Sequence, residues 1–458
     1  MAVLFLLSLA ACGGTPDTGA SDTASSDSES AASESAAGEI GRLGLYCEDG
    51  QMKLDGKPFY GLGVNYYSLF NYAFTHQWDT SVQCAALETL AEYDVKVIRF
   101  SCEPPSTLGE AKWDWYFQRK DRYYETLDVL VDKAEEVGIG LIVEFFGDLY
   151  SISDYYDEPL ATAVRDENSQ SSRFRRSYVE EVVTRYKDSP AIYGWEFGNE
   201  LAWNTLLPAG YVSVPDLPVD SGRDSRTEED ILGMEEVVLL YSRFAQTVKE
   251  CDPHGRIVGS GDQSLREYVY HACHFDDFGT DTLAQHREML AALNPDGMDA
   301  VCMHRYADGV RLPDNPGKLN AMASATPIRL IGEDGQPFVL YDTWTEYLRY
   351  MLDESARLGK TCYVGEAGWM YQDATERQSY ESALAVVESI ASAAYSTRYP
   401  LILFWNYDPV TRQMEQDFVD RGSGVEYSWN ENWDKGRAYL ETIQKYNALF
   451  DRLIEEES

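Results

Sequence analysis

Short apolar runs rich in β-branched and aromatic residues alternate with longer stretches of helical periodicity from residue 59 to the carboxyl terminus. Eight runs read as strands: Phe59–Asn65, Val95–Ser101, Gly140–Phe146, Ile192–Glu200, Arg256–Gly261, Asp299–His304, Thr361–Glu366 and Leu401–Trp405. The stretches between them carry apolar residues at helical spacing: Ser81–Tyr93, Tyr123–Val137, Arg173–Tyr186, Met234–Cys251, Thr282–Leu293, Trp344–Leu358 and Ser379–Ala394. Lys435–Leu453 closes the chain in the same way. At Val137-Gly138-Ile139 a glycine separates a helical stretch from the next apolar run, the usual place for a helix to end. Strand and helix alternating through eight units predict an α/β fold, a parallel sheet closed as a (β/α)8 TIM barrel. Two strand-to-helix connections are long, Leu201–Asp230 and Tyr306–Asp342, and fall on the face where such barrels build their sites.

The amino-terminal residues depart from that pattern. Met1–Ala11 is apolar and ends in small residues before Cys12, which predicts an export signal over residues 1–12. Leu9-Ala10-Ala11-Cys12-Gly13-Gly14 resembles the bacterial lipoprotein lipobox, although no Lys or Arg precedes the apolar run. That resemblance implies lipidation at Cys12 and an extracellular, cell-surface location. Residues 13–44 are mostly Ser, Ala, Asp, Glu, Thr and Gly, too poor in apolar area to offset the entropy of ordering, and are predicted to be a disordered acidic linker. Residues 45–458 then make a single barrel domain with long strand-to-helix loops, a size that insertions in this architecture allow.

Charge narrows the possible partners. The chain has 38 basic and 77 acidic residues, a net charge of −39, which excludes nucleic acid and anionic membrane surfaces. Contact with a membrane is expected only through the lipid anchor, whereas a neutral polysaccharide is indifferent to the sign. Besides Cys12 there are seven cysteines, without CxxC or regular spacing, so no disulfide framework is predicted. No Gly-x-Ser-x-Gly, His-Glu-x-x-His or dinucleotide fingerprint occurs, and no metal or organic cofactor is implied.

Two of the strand runs finish in a carboxylate, Ile192 to Glu200 and Thr361 to Glu366. A parallel barrel strand ending this way delivers an acid to the carboxyl-end face, and two deliveries make a facing pair, as hydrolysis of a glycosidic bond requires. Glu144 and Glu196 also lie within strand runs. Glu196 sits deeper along its strand than Glu200, where a carboxylate is expected to pair with a buried cation such as Arg99.

The segments Asp55–Phe59 leading into Gly63–Tyr67, then Val97–Phe100, Gly198–Glu200, His304–Tyr306, Gly365–Glu366 and Phe404–Asn406 resemble glycoside hydrolase family 5, the cellulase and β-mannanase family. The match runs in order from about Gly50 to the end of the chain. It implies Glu200 as general acid/base and Glu366 as nucleophile, with Arg99 and Tyr306 holding the nucleophile ionised and aimed. Asn199 matches the side chain that bonds the sugar 2-hydroxyl, His304 lines the same wall, and Trp405 matches the aromatic floor beneath the sugar. Tyr67, Trp203 and Trp369 stand just beyond strand ends, where each either extends that floor or serves ordinary packing. Many family members carry a histidine at the end of the third strand; here the chain reads Val143–Asp148, so either Asp148 occupies that wall or the site is reshaped there.

The resemblance implies a retaining β-glycosidase acting on β-1,4-linked polysaccharide or oligosaccharide, and the chain is expected to be a monomer. The segments Asp55–Tyr67 and Trp195–Glu200 resemble the mannanase branch and favour mannan or glucomannan over β-glucan. The alternatives are an exo-acting β-glycosidase or transglycosylase on the same scaffold, or a surface lipoprotein that binds glycan without cleaving it.

Overall fold

Burial on both faces explains why the strands read as unbroken apolar runs and not as alternating ones. In a computed structural model the described residues are 41–104, 111–212, 223–307, 310–312, 315–320, 328–369, 380–410 and 428–457. Eight parallel strands, β1 (Gly61–Asn65), β2 (Val97–Ser101), β3 (Gly140–Phe146), β4 (Ile192–Gly198), β5 (Ile257–Gly259), β6 (Ala300–Ala307), β7 (Thr361–Trp369) and β8 (Leu401–Phe404), pair in the order β5-β4-β3-β2-β1-β8-β7-β6. Every residue of β1, β2, β3 and β8 is buried. The outer strands of this order, β5 and β6, meet through backbone bonds from Asp299 N to Val258 O (3.1 Å) and His304 N to Asp262 O (2.7 Å), which close the sheet into a (β/α)8 barrel.

The helices occupy the expected intervals. Met234–Cys251 has the boundaries read from the sequence, and Gly138, in the left-handed region at φ 77°, ends the helix Lys120–Val137. Thr343 and Glu346 form a capping box that starts Trp344–Arg357. A short antiparallel sheet, Tyr46–Glu48, Gln51–Leu54 and Lys57–Pro58, precedes the barrel. It places Met52 beside Phe59 and Leu45 in the inner apolar cluster with Val97, Ile142, Ile257, Leu401 and Leu403. Leu45 exchanges backbone bonds with Tyr193 and Ile257 at the amino ends of β4 and β5, so this sheet plugs the end of the barrel opposite the site. Both long connections carry structure of their own, including the helix Leu201–Thr205 and the hairpin Ile328–Ile331 with Pro337–Tyr341.

One irregularity decides the chemistry. Tyr363 on β7 points into the barrel, so strict alternation would turn residue 365 inward and Glu366 outward. The register between β7 and β6 slips between Val364, opposite Met303, and Glu366, opposite His304. This bulge resets the alternation and turns Glu366 inward. Gly365 makes it possible, because a Cβ there would lie 2.6 Å from Cys302 Sγ and 2.9 Å from the His304 ring.

Candidate active site

Arg99 organises the site from below. It is wholly buried at the inner face of β2, and its guanidinium reaches carboxylates on three strands: Glu196 on β4, Glu144 on β3 at 2.8 Å and Glu366 on β7 at 2.9 Å. It also donates to Asn65 Oδ1 and Asn199 Oδ1, each at 3.0 Å. Burial alone would depress its pKa; Glu196, Glu144 and Glu366 together drive it well above the ordinary value. Burial pushes the Glu144 carboxyl up to about 7, against the pull of Arg99. Glu196 also accepts the Tyr363 hydroxyl at 2.5 Å, so Glu144 and Glu196 belong to the support of Arg99 and stand beneath the cleft.

Glu366 is almost fully buried and is held from two sides. Arg99 Nη1 donates to Oε1, and the Tyr306 hydroxyl donates to Oε2 at 2.5 Å. Burial first, then the Glu366 carboxylate, raise the Tyr306 pKa far above its usual value and keep that phenol a donor.

Glu200 has different surroundings. Its side chain is 16% exposed, and its backbone is left-handed at φ 54° in the turn where β4 passes into the helix Leu201–Thr205. Gln263 Nε2 donates to Oε1 at 2.7 Å and His304 Nδ1 lies 3.0 Å from the same oxygen. Burial pushes the Glu200 carboxyl up, but the hydrogen bond and charge of His304, the Gln263 amide and Arg99 outweigh it and leave it below the usual range. His304 shows the converse: burial pulls its pKa down, and Glu366 and Glu200 raise it above the ordinary imidazole. The ring sits between the two acids, 3.4 Å from Glu366 Oε1.

The remaining sequence candidates fall in and around this centre. With Oδ1 held by Arg99, the Asn199 amide turns its Nδ2 donor the other way. Trp405, at the end of β8, packs against Tyr67 with ring centroids 5.7 Å apart, so these two form one aromatic wall. Trp203 lies under the Arg266 guanidinium, 3.5 Å from the ring centroid, which ties it to the segment after β5. The Asp148 carboxylate faces Lys112 at 3.6 Å and its N–H donates to Glu103, while the β3 side chain that reaches the Arg99 cluster is Glu144. Trp369 ends β7, but its side chain is outside the described residues, as is Cys12.

Sequence reasoning missed Gln263, Asn65, Asp262 and the buried pair Glu103–Lys112, 3.2 Å apart. Asn65 donates to Gly365 O at 2.9 Å while accepting from Arg99, linking the cation to the bulge. Its only sequence signal was an amide at the end of an apolar run.

Among the described residues, Glu200, His304 and Glu366 are the three whose ligand atoms gather at metal-like spacing, all within 4.8 Å of one another. The imidazole is already engaged by both carboxylates, so the group is an acid–base triad in its contacts.

No family model matches the chain. Over 253 residues, 50% of this chain, it is 24% identical to a protein of Aspergillus terreus named probable mannan endo-1,4-beta-mannosidase C. The match spans 58% of that relative, little more than half its length. The crystal structure of the endo-1,4-beta-mannanase from Rhizomucor miehei superposes with a TM-score of 0.58 at 15% identity, over 89% of this chain and 99% of that one. A glycoside hydrolase family 5 mannosidase from the same organism gives 0.54 at 15% identity, over 90% of this chain and 99% of that one. At such identity the likeness of the structures is one of fold alone.

Proposed function

We propose that the chain is a retaining β-glycosidase of the family 5 kind, cleaving β-1,4-linked mannan or glucomannan by double displacement. The observation that carries this reading is the spacing of Glu200 and Glu366, whose nearest ligand oxygens lie within 4.8 Å. A retaining enzyme needs its carboxyls about 5–5.5 Å apart, and an inverting one needs roughly 6.5–9.5 Å to admit a water. The unequal surroundings of the two acids support the division of labour. Glu366, held on both oxygens by Arg99 and Tyr306, is fixed in place to attack the anomeric carbon. Glu200, partly open to the cleft, is placed to protonate the departing glycosidic oxygen as the C–O bond breaks. In the second step it takes a proton from the water that releases the sugar from Glu366.

At rest the proton of the Glu200–His304 pair favours the imidazole, since the acid is held low and the ring high. A bound sugar displaces water from the exposed edge of Glu200 and strengthens burial, the influence that raises its pKa. The proton of the pair then shifts to the acid and leaves the imidazole neutral. Asn199 is placed to bond the sugar 2-hydroxyl, and the Trp405–Tyr67 wall offers the apolar surface on which a pyranose face packs.

The mannan assignment is supported by the names of the relatives and structural neighbours and by the sequence resemblance to the mannanase branch. Reducing-sugar release is expected to be fastest on mannan or glucomannan; faster cutting of soluble cellulose would overturn that choice. NMR of the first product is expected to show the β anomer, and an α product would exclude double displacement. The proposed anchor at Cys12 predicts that the exported chain partitions into the detergent phase and that Cys12→Ala moves it to the aqueous phase; equal partitioning would refute it.

A further inference from the structure

Of four consecutive residues just after β5, three hold different parts of the turn that carries Glu200, and the fourth binds the backbone of His304, which also reaches that acid. Gly261 O accepts from Glu200 N at 2.8 Å. Asp262 Oδ1 accepts from Ala202 N at 2.8 Å, its other oxygen takes the Tyr241 hydroxyl, and its backbone O accepts from His304 N. Gln263 Nε2 donates to Glu200 Oε1 at 2.7 Å. Ser264 N donates to His304 O at 3.1 Å. Gly261 is at φ +74°, and a Cβ there would collide with the Gly198 carbonyl, so only glycine brings this segment so close to the end of β4.

The consequence lies in which oxygen is engaged. The backbones of Gln263 and His304 bridge at the β5–β6 seam, and the two side chains converge from there on Glu200 Oε1. Among the described residues no donor reaches Oε2. Two donors occupy the lone pairs of Oε1, so the proton exchanged with a substrate must ride on Oε2.

We propose that residues 261–264 are the positioning device of the acid/base, and that Gln263 fixes Oε2 as the oxygen that transfers the proton and sets how tightly Glu200 holds it. The role of Gln263 rests on the glycosidase reading above. A neutral amide suits it, because it favours the ionised carboxylate without adding a second charge beside the imidazole. The charged and titratable groups that otherwise face Glu200 are His304 and Tyr306 from β6, Arg99 from β2, Glu366 from β7 and Arg266 from the loop after β5.

The test compares the parent with Gln263→Met, which keeps the length and removes the donor, and with Gln263→Glu, which replaces the donor by an acid. Two readouts are taken: the pH profile of kcat/KM on an aryl β-mannoside, and the carbon NMR titration of the Glu200 carboxyl, assigned by its absence in Glu200→Gln. In Gln263→Met the titration and the alkaline limb are expected to rise together by about 0.5–1 pH unit, and further in Gln263→Glu, with KM changed less than about twofold. A folded Gln263→Met whose titration and alkaline limb coincide with the parent would overturn the proposal, even if kcat fell, since a purely structural role moves no pKa. Should the parent hydrolyse no glycoside at all, the glycosidase reading fails, and the NMR titration still decides whether Gln263 tunes Glu200.

Discussion

Glu366→Ala is expected to lower kcat on an aryl β-mannoside by at least about ten-thousand-fold, roughly 5 kcal/mol of transition-state stabilisation, because among the described residues no other carboxylate is placed to replace it as nucleophile. Glu144 and Glu196 lie deeper and are committed to Arg99. The loss should be repaired by azide in a way that identifies the missing group. In Glu366→Ala the small anion enters where the carboxylate stood, attacks the anomeric carbon, expels the phenolate and leaves an α-glycosyl azide. In Glu200→Ala the covalent intermediate still forms from a substrate with a good leaving group; azide then displaces Glu366 and leaves a β-glycosyl azide. Opposite anomers from the two variants would fix both roles. The same anomer from both, or Glu366→Ala within tenfold of the parent, would refute the assignment.

Why these two glutamates could be read from the sequence, and their partners could not, is a matter of physical range. A strand buried on both faces must be apolar throughout, so β3 stands out as Gly140–Phe146 with no reference to its neighbours. A carboxylate closing such a run is costly unless it faces a cleft or a cation, which singles out Glu200 and Glu366. The inward aim of Glu366 is another matter. It depends on the bulge opposite His304, a property of the pairing between β6 and β7 that shows in the chain only as Gly365. Gln263 is harder still, because a glutamine after Gly261-Asp262 looks like any loop residue until the β5–β6 seam sets it beside His304. The strands of two to four residues before the barrel were missed because a period of two cannot be recognised in so short a span. Asp148 was readable as a polar residue at a strand end, but its ion pair was not, because Lys112 comes from a helix absent from the sequence reading.

Arg99→Met should destabilise the fold as well as silence the site, and its pH dependence should reveal the cause. Removing the cation leaves Glu144, Glu196 and Glu366 facing one another within the barrel, and stranding partners of a buried charge costs about 3–5 kcal/mol. The variant has one escape, which is to bind protons on the stranded carboxyls. Their folded-state pKa values then lie above those of the unfolded chain, so the folded form carries more protons than the unfolded one. Stability is therefore greatest at low pH and falls as pH rises through the interval between the two values, by about 1.4 kcal/mol per pH unit for each extra proton held. The deficit relative to the parent should widen between pH 5 and pH 8 in urea denaturation. If the guanidinium contributed packing alone, the deficit would be the same at both. Adding Glu144→Gln and Glu196→Gln to Arg99→Met should flatten the dependence and return part of the stability, because two of the stranded charges are gone. Activity should stay lost, since Glu366 would still lack the Arg99 contact that holds it in place. A triple variant as pH-sensitive as Arg99→Met would mean that Glu144 and Glu196 are not the groups Arg99 neutralises.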